Sequence, residues 1–413
     1  MRFIPTILLL ITFAGPCFAE DWPQWRGPRR DGISAETLTF DRWPADGGPP
    51  IAWRGSFGKG HATIAVAGKL AFTMGWDGKQ DTVYCFDAAT GEVKWKQSYP
   101  CDTIVQWPGP RATPTIHDGK VFTLGQHGQL YAWDAATGRK LWHVQLSQKY
   151  KPDDDYGFAW SPLIVSDPKR REAGELLILS AGSKGLALHT KDGSFAWGND
   201  EQRGACVSPV PFTINGKPGV AVMTTDRETS TVVGVDPFTG KVLWTLGPWN
   251  EKWGAVCMDP IIHDGRVFLT SAETYKQAAR YTLENGKGKR DWITSKYSGY
   301  TGTSVLIDGH LYGIATQKRG SLKCLDWNTG EEKWTEGGFG EYGSLIAADG
   351  KLLCQTGTTG ELVIAEATPK AYRELRRMKV FSGRADTFTS PTFAGGRIYC
   401  RSYEGEVVCI ELK

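Results

Sequence analysis

After residue 50 the chain alternates apolar and polar positions in short runs, each ended by a turn signal. Val83-Tyr84-Cys85-Phe86, Leu130-Tyr131-Ala132-Trp133 and Val232-Val233-Gly234-Val235 each predict a strand, rich in β-branched and aromatic side chains. An Asp follows each run, then a Gly four residues on and a Trp four beyond that. The strict spacing occurs at Asp87/Gly91/Trp95, Asp134/Gly138/Trp142, Asp236/Gly240/Trp244 and Asp326/Gly330/Trp334. His189/Gly193/Trp197 and Glu284/Gly288/Trp292 keep the Gly and the Trp only. Such a pattern predicts a repeat fold in which each copy is one hairpin. The Asp opens the turn by accepting from amides just ahead, and the Gly closes it at positive φ. The Trp offers a large flat face for docking the next sheet.

With Ala132 two residues before Asp134, the motif resembles the tryptophan-docking motif of quinoprotein-type β-propellers. That family includes PQQ-dependent alcohol dehydrogenases and the propeller lipoprotein of outer-membrane β-barrel assembly. The opening DWPQWRGPRRDGIS, and the stretches GPRATP and WSPLIV, resemble its secreted PQQ-binding-like members. The resemblance covers nearly all of the chain after its leader. It implies an all-β fold of four-stranded antiparallel blades, and it leaves activity open because function sits in sites rather than folds.

The docking aromatics Trp53, Trp95, Trp142, Trp197, Trp244, Trp292, Trp334 and Phe381 are spaced by 42 to 55 residues, about one four-stranded blade. That predicts an eight-bladed propeller. A second marker repeats in step: inner strands begin near Thr63, Thr113, Ser161, Ser208, Asp259, Thr303, Ser344 and Ser390. Residues 389–413 leave room for three strands only, so the segment near Pro50 should supply the fourth and close the ring. Residues 167–174 and 368–377 break the period and are expected to be surface loops, the second charged and helical.

Residues 1–19 carry Arg2, an apolar core and a Cys17-Phe18-Ala19 end, the features of a signal peptide cleaved before Glu20. The remaining residues, 20–413, then form one propeller, periplasmic or extracellular and not membrane-spanning. A formal charge of +3 and no basic stripe give no case for nucleic acid. Eight cysteines follow the leader; Cys85, Cys324 and Cys409 share one repeat register and read as buried small hydrophobes. Cys400 and Cys409 could pair across the last hairpin, and Cys206 and Cys257, each three residues before a Pro, could bridge adjacent blades.

Propellers place function where the loops entering the inner strands converge. Those segments carry His61, Gln106, Trp107, Arg111, Tyr156, Trp160, Arg203, Trp253, Asp259, Tyr300, Glu341, Tyr342, Arg384 and Asp386. Arg111, Trp160, Trp253 and Arg384 are the candidates for a flat anionic cofactor, since Arg presents a planar fork to carboxylates and Trp a stacking face. Asp259, Glu341 and Asp386 are the candidates for a hard cation. Resemblance to the enzymatic members implies PQQ and Ca²⁺ there. Yet those members often carry a disulfide between adjacent cysteines and a Cys-x-x-Cys-His haem site, and this sequence has neither. No catalytic residue is assigned. Two readings remain: a scaffold binding a protein or glycan, or a PQQ- and Ca²⁺-dependent dehydrogenase of a small alcohol or sugar.

Overall fold

The computed structural model describes residues 20–40, 43, 49–102, 106–152, 156–167, 174–226, 228–250, 257–272, 275–382 and 385–412. Its regular structure is all β, interrupted by short 3-10 turns such as Leu146–Gln148. Strands follow one another as four-stranded antiparallel meanders, the first being Ala65–Ala67, Leu70–Trp76, Gln80–Asp87 and Val93–Pro100. The described strands fall into seven hydrogen-bonded sheets, one of nine strands. That large sheet is two consecutive meanders joined at a single parallel pair, Thr245 with Lys287. Ile51–Ser56 pairs antiparallel with Glu406–Glu411, so the sheet of the last three strands draws its fourth from near the start of the chain.

The repeat residues act as their chemistry dictates. Asp134 Oδ1 accepts from the Thr137 amide at 2.9 Å and from the Thr137 hydroxyl at 2.8 Å, which shapes the turn and holds the carboxyl below the usual range. Gly138 has φ +72°, and a Cβ there would lie 2.7 Å from the Trp95 ring of the preceding repeat. Gly is therefore required twice over, by the turn and by the indole lying flat on it. Trp53, Trp95, Trp142 and Trp197 each donate Nε1 to a carbonyl in the next turn, those of Ala88, Ala135, Thr190 and Pro237, at 2.9 to 3.2 Å. Trp292 and Trp334 do the same to Trp327 and Thr368. Phe381 is buried in the cluster that also holds Trp53.

Three expectations need correction. The spacing Glu284/Gly288/Trp292 is not a docking turn: the chain reverses at Asn285-Gly286, both at positive φ, and Gly288 sits inside the strand Lys287–Thr294. Residues 374–379 are not helical but form the outer strand Glu374–Lys379 of their sheet. Cys400 and Cys409 cannot pair, because Cys400 stands opposite Val408 while Cys409 stands opposite Tyr399, which puts the two thiols on opposite faces.

Candidate functional site

The inner-strand marker is a series of hydrogen bonds between neighbouring repeats. The amide of Thr63 donates to Thr113 Oγ1, Thr113 to Ser161 Oγ, Ser161 to Ser208 Oγ and Ser208 to Asp259 Oδ1, all at 2.9 to 3.1 Å. Thr303 repeats the step to Ser344 Oγ. His61, Arg111, Thr301 and Tyr342, each two residues before a member, reach a common cavity. Ala159 and Ser161, Cys206 and Ser208, and Cys257 and Asp259 all line one cavity of about 120 Å³. The residues between them, Trp160, Val207 and Met258, are buried among the sheets.

A belt of rings forms the cavity wall. Arg111 lies 5.5 Å over the Tyr156 ring, and the Tyr156 and Tyr300 hydroxyls are 3.2 Å apart. Tyr300 then meets Tyr342 at 5.8 Å, Tyr342 meets Phe388 at 4.7 Å, and Phe388 meets Trp107 at 5.4 Å. Trp107 is 44% exposed and has φ +53°, a conformation rarely tolerated without a local reason. The Arg111 guanidinium supplies that reason by donating to the carbonyls of Gln106, Trp107 and Gly109. His61, also on the wall, is pushed well below the ordinary histidine range by burial, reinforced by Arg111 and Arg401, and is neutral near pH 7.

The floor comes from the N-terminal arm, which the sequence reading passed over. Trp22 exchanges two backbone hydrogen bonds with Val66, and Pro23 accepts from the Ile116 amide. Arg30 donates to the carbonyls of Ser161, Pro162 and Pro209, and Arg26 to that of Ser304. Gly32 accepts from Ala347, and Ile33–Ser34 runs parallel to Ser344–Ala348. Glu36 accepts from Gly395 and Gly396. The arm thus touches the inner strands or the residues that flank them in repeat after repeat. Trp25 projects from it into the cavity and donates Nε1 to Asp259 Oδ2 at 2.6 Å.

The other predicted residues fall as follows. Trp160 is 1% exposed and donates to the Ala205 carbonyl at 2.6 Å, a core residue rather than a stacking face. Glu341 lines a separate cleft with Arg319, Tyr342 and Thr358, and the Asp386 carbonyl accepts from the Tyr403 amide. Trp253 and Arg384 lie outside the described residues. Among the described residues no three His, Cys, Asp or Glu side chains stand together as metal ligands.

Asp259 is the cavity's acidic group, and it does not suit a Ca²⁺. Its two oxygens already accept from Trp25 and Ser208; burial holds its carboxyl above the usual range, opposed in part by Arg26, Trp25, Arg30 and Ser208. A divalent cation there would meet two buried guanidinium groups. Arg111 likewise directs its donors at its own loop rather than at an open anion site.

Fold and repeat together define a tryptophan-docked β-propeller of the quinoprotein type. A family described as outer membrane protein assembly factor BamB matches residues 42–152 and 79–336, and the chain belongs to that family. The quinoprotein alcohol dehydrogenase PedH of Pseudomonas putida is 25% identical over 157 residues, covering 37% of this chain and 25% of that enzyme. BamB of Shigella dysenteriae serotype 1 is 23% identical over 224 residues, 54% of this chain and 55% of that protein. The chain therefore spans a quarter of one curated relative and about half of the other. The crystal structure of BamB from Moraxella catarrhalis superposes with a TM-score of 0.62 at 17% identity, covering 88% of this chain and 99% of that one. That likeness concerns the fold alone.

Proposed function

We propose that the chain is an exported, eight-bladed propeller that binds a protein segment or glycan at its channel mouth without transforming it. Pairing of Ile51–Ser56 with Glu406–Glu411 supports closure of the ring by the N-terminal strand. The leader-like residues 1–19 support export. No helix among the described residues is long and apolar enough to cross a membrane.

One observation carries the binding reading: Asp259, the acid in the cavity, is hydrogen-bonded by Trp25 and Ser208 and lies in the field of two buried arginines. Use of either oxygen as a base or a cation ligand would compete with the bonds to Trp25 and Ser208, which favours the binding reading. What remains is an aromatic wall with an exposed Trp107 at its rim, suited to a sugar ring or an apolar side chain. The test titrates the chain from Glu20 onward with PQQ, with and without Ca²⁺, reading tryptophan fluorescence beside dye reduction over alcohols and sugars. We expect no Ca²⁺-dependent quenching and no turnover, while a panel of glycans and unfolded outer-membrane peptides finds a ligand whose binding Trp107→Ala weakens at least tenfold. Saturable Ca²⁺-dependent PQQ quenching with dye reduction would establish the dehydrogenase reading instead.

A further inference from the structure

Glu36 is a carboxylate buried to 4% exposure, and its hydrogen-bond partners are backbone amides alone. Gly395 donates to Oε1 at 2.7 Å and Gly396 to Oε2 at 2.8 Å. No cationic side chain forms an ion pair with Glu36 among the described residues. A buried carboxylate without a counter-charge is costly, and its surroundings ordinarily provide one. Its third donor is the backbone nitrogen of Glu20, 3.1 Å from Oε1. Glu20 is also the residue that the leader pattern makes the first of the processed chain.

We propose that Glu36 is the receptor for the α-ammonium group created by processing between Ala19 and Glu20. Hydrolysis adds one water across that peptide bond, leaving a carboxylate on Ala19 and an amine on Glu20 that takes up a proton. The single amide donor facing Glu36 becomes a cation with three donors, and a neutral hydrogen bond becomes an ion pair. The surroundings hold Glu20 in place for it. Its Oε1 accepts from Arg29 at 2.7 Å and its Oε2 from the Ala35 amide at 2.7 Å, while Asp21 caps the Gly68 amide at 2.8 Å. Because Glu36 also bonds the turn that follows the last inner strand, removal of the leader tightens the arm onto the propeller. Trp25, on the same arm, already stands in the cavity floor and would be held there more firmly. The uncleaved chain has the same fold and lacks only this ion pair.

Three forms of the full chain from residue 20 test this: one with a free amine, one N-acetylated, and one carrying a Gly-Ser extension. Each is made with Glu36 and with Glu36→Gln. The free-amine form should melt about 2 °C above both blocked forms, with the difference absent in the E36Q set. Equal midpoints, or a difference that survives E36Q, would overturn the proposal. Should E36Q fail to fold, labelling the α-amine of the native chain with an anhydride decides the matter. An ammonium paired with Glu36 should react about tenfold more slowly at pH 8 than the same amine in the urea-unfolded chain, because its pKa rises above the ordinary value near 8. The other charged groups facing it are the Glu20 carboxylate and Arg29, common to all forms. An unprotected amine would leave Glu36 a purely structural acceptor.

Discussion

Trp142 and Trp244 hold the same place in the repeat, yet they make different seams. The Trp142 indole lies on Gly193 of the next turn and donates to the Thr190 carbonyl at 3.0 Å. Trp244 meets no such turn, because the following repeat reverses at Asn285-Gly286. Its ring lies instead against Gly234 of its own sheet and 5.3 Å from Phe212, and its Nε1 finds no acceptor among the described residues. The seam beside it is made by backbone: Thr245 donates to the Gly286 carbonyl at 3.1 Å, and Thr245 pairs with Lys287. A docking tryptophan is thus one of two ways to join neighbouring sheets, and the type of the receiving turn selects between them.

The largest test of this contrast is Trp142→Ala, which removes a buried indole and its cross-sheet bond. It should cost about 3–5 kcal/mol, read as a lower urea midpoint. Next comes glycine exchange. Gly138→Ala must hold φ +72° against the Trp95 ring and should cost about 2–3 kcal/mol, whereas Gly288→Ala meets only the end of the Leu246 side chain and should cost about 1 kcal/mol. Equal costs would mean that the Glu284–Trp292 spacing is a docking turn after all. The smallest effect separates bond from bulk: Trp142→Phe should destabilise more than Trp244→Phe by about 1 kcal/mol, since only the former strands a buried carbonyl. Matched losses in paired thermal melts would remove the distinction.

What could be read from the sequence follows the same logic. The strict repeats were legible because turn, glycine and indole lie within nine residues of one another. Glu284/Gly288/Trp292 misled because a spacing match outweighed the Asn285-Gly286 pair, itself a strong two-residue hairpin signal. At the mouth, His61, Trp107, Arg111, Tyr156, Asp259, Tyr300 and Tyr342 were found because they enter the inner strands. Trp160 was misplaced because Ala159 and Ser161 on either side of it line the cavity while its own ring is buried among the sheets. The arm was missed because Arg26 and Arg30 look like surface residues in a Gly- and Pro-rich stretch. Their burial, each near 4% exposed, depends on carbonyls more than a hundred residues away.

That distance has a consequence for how the molecule comes into being. The arm is synthesised first, yet its bond from Glu36 to Gly395 spans 359 residues. Its first residues can settle on the early repeats, but the Glu36 end has no partner until the final repeat exists, so full seating of the arm should come late in folding. Linear repeat arrays can lose an end and keep the rest, since each unit answers only to its neighbours. Here one short segment answers to every unit. The chain should lose structure as a whole, and partial unfolding should begin with the arm letting go.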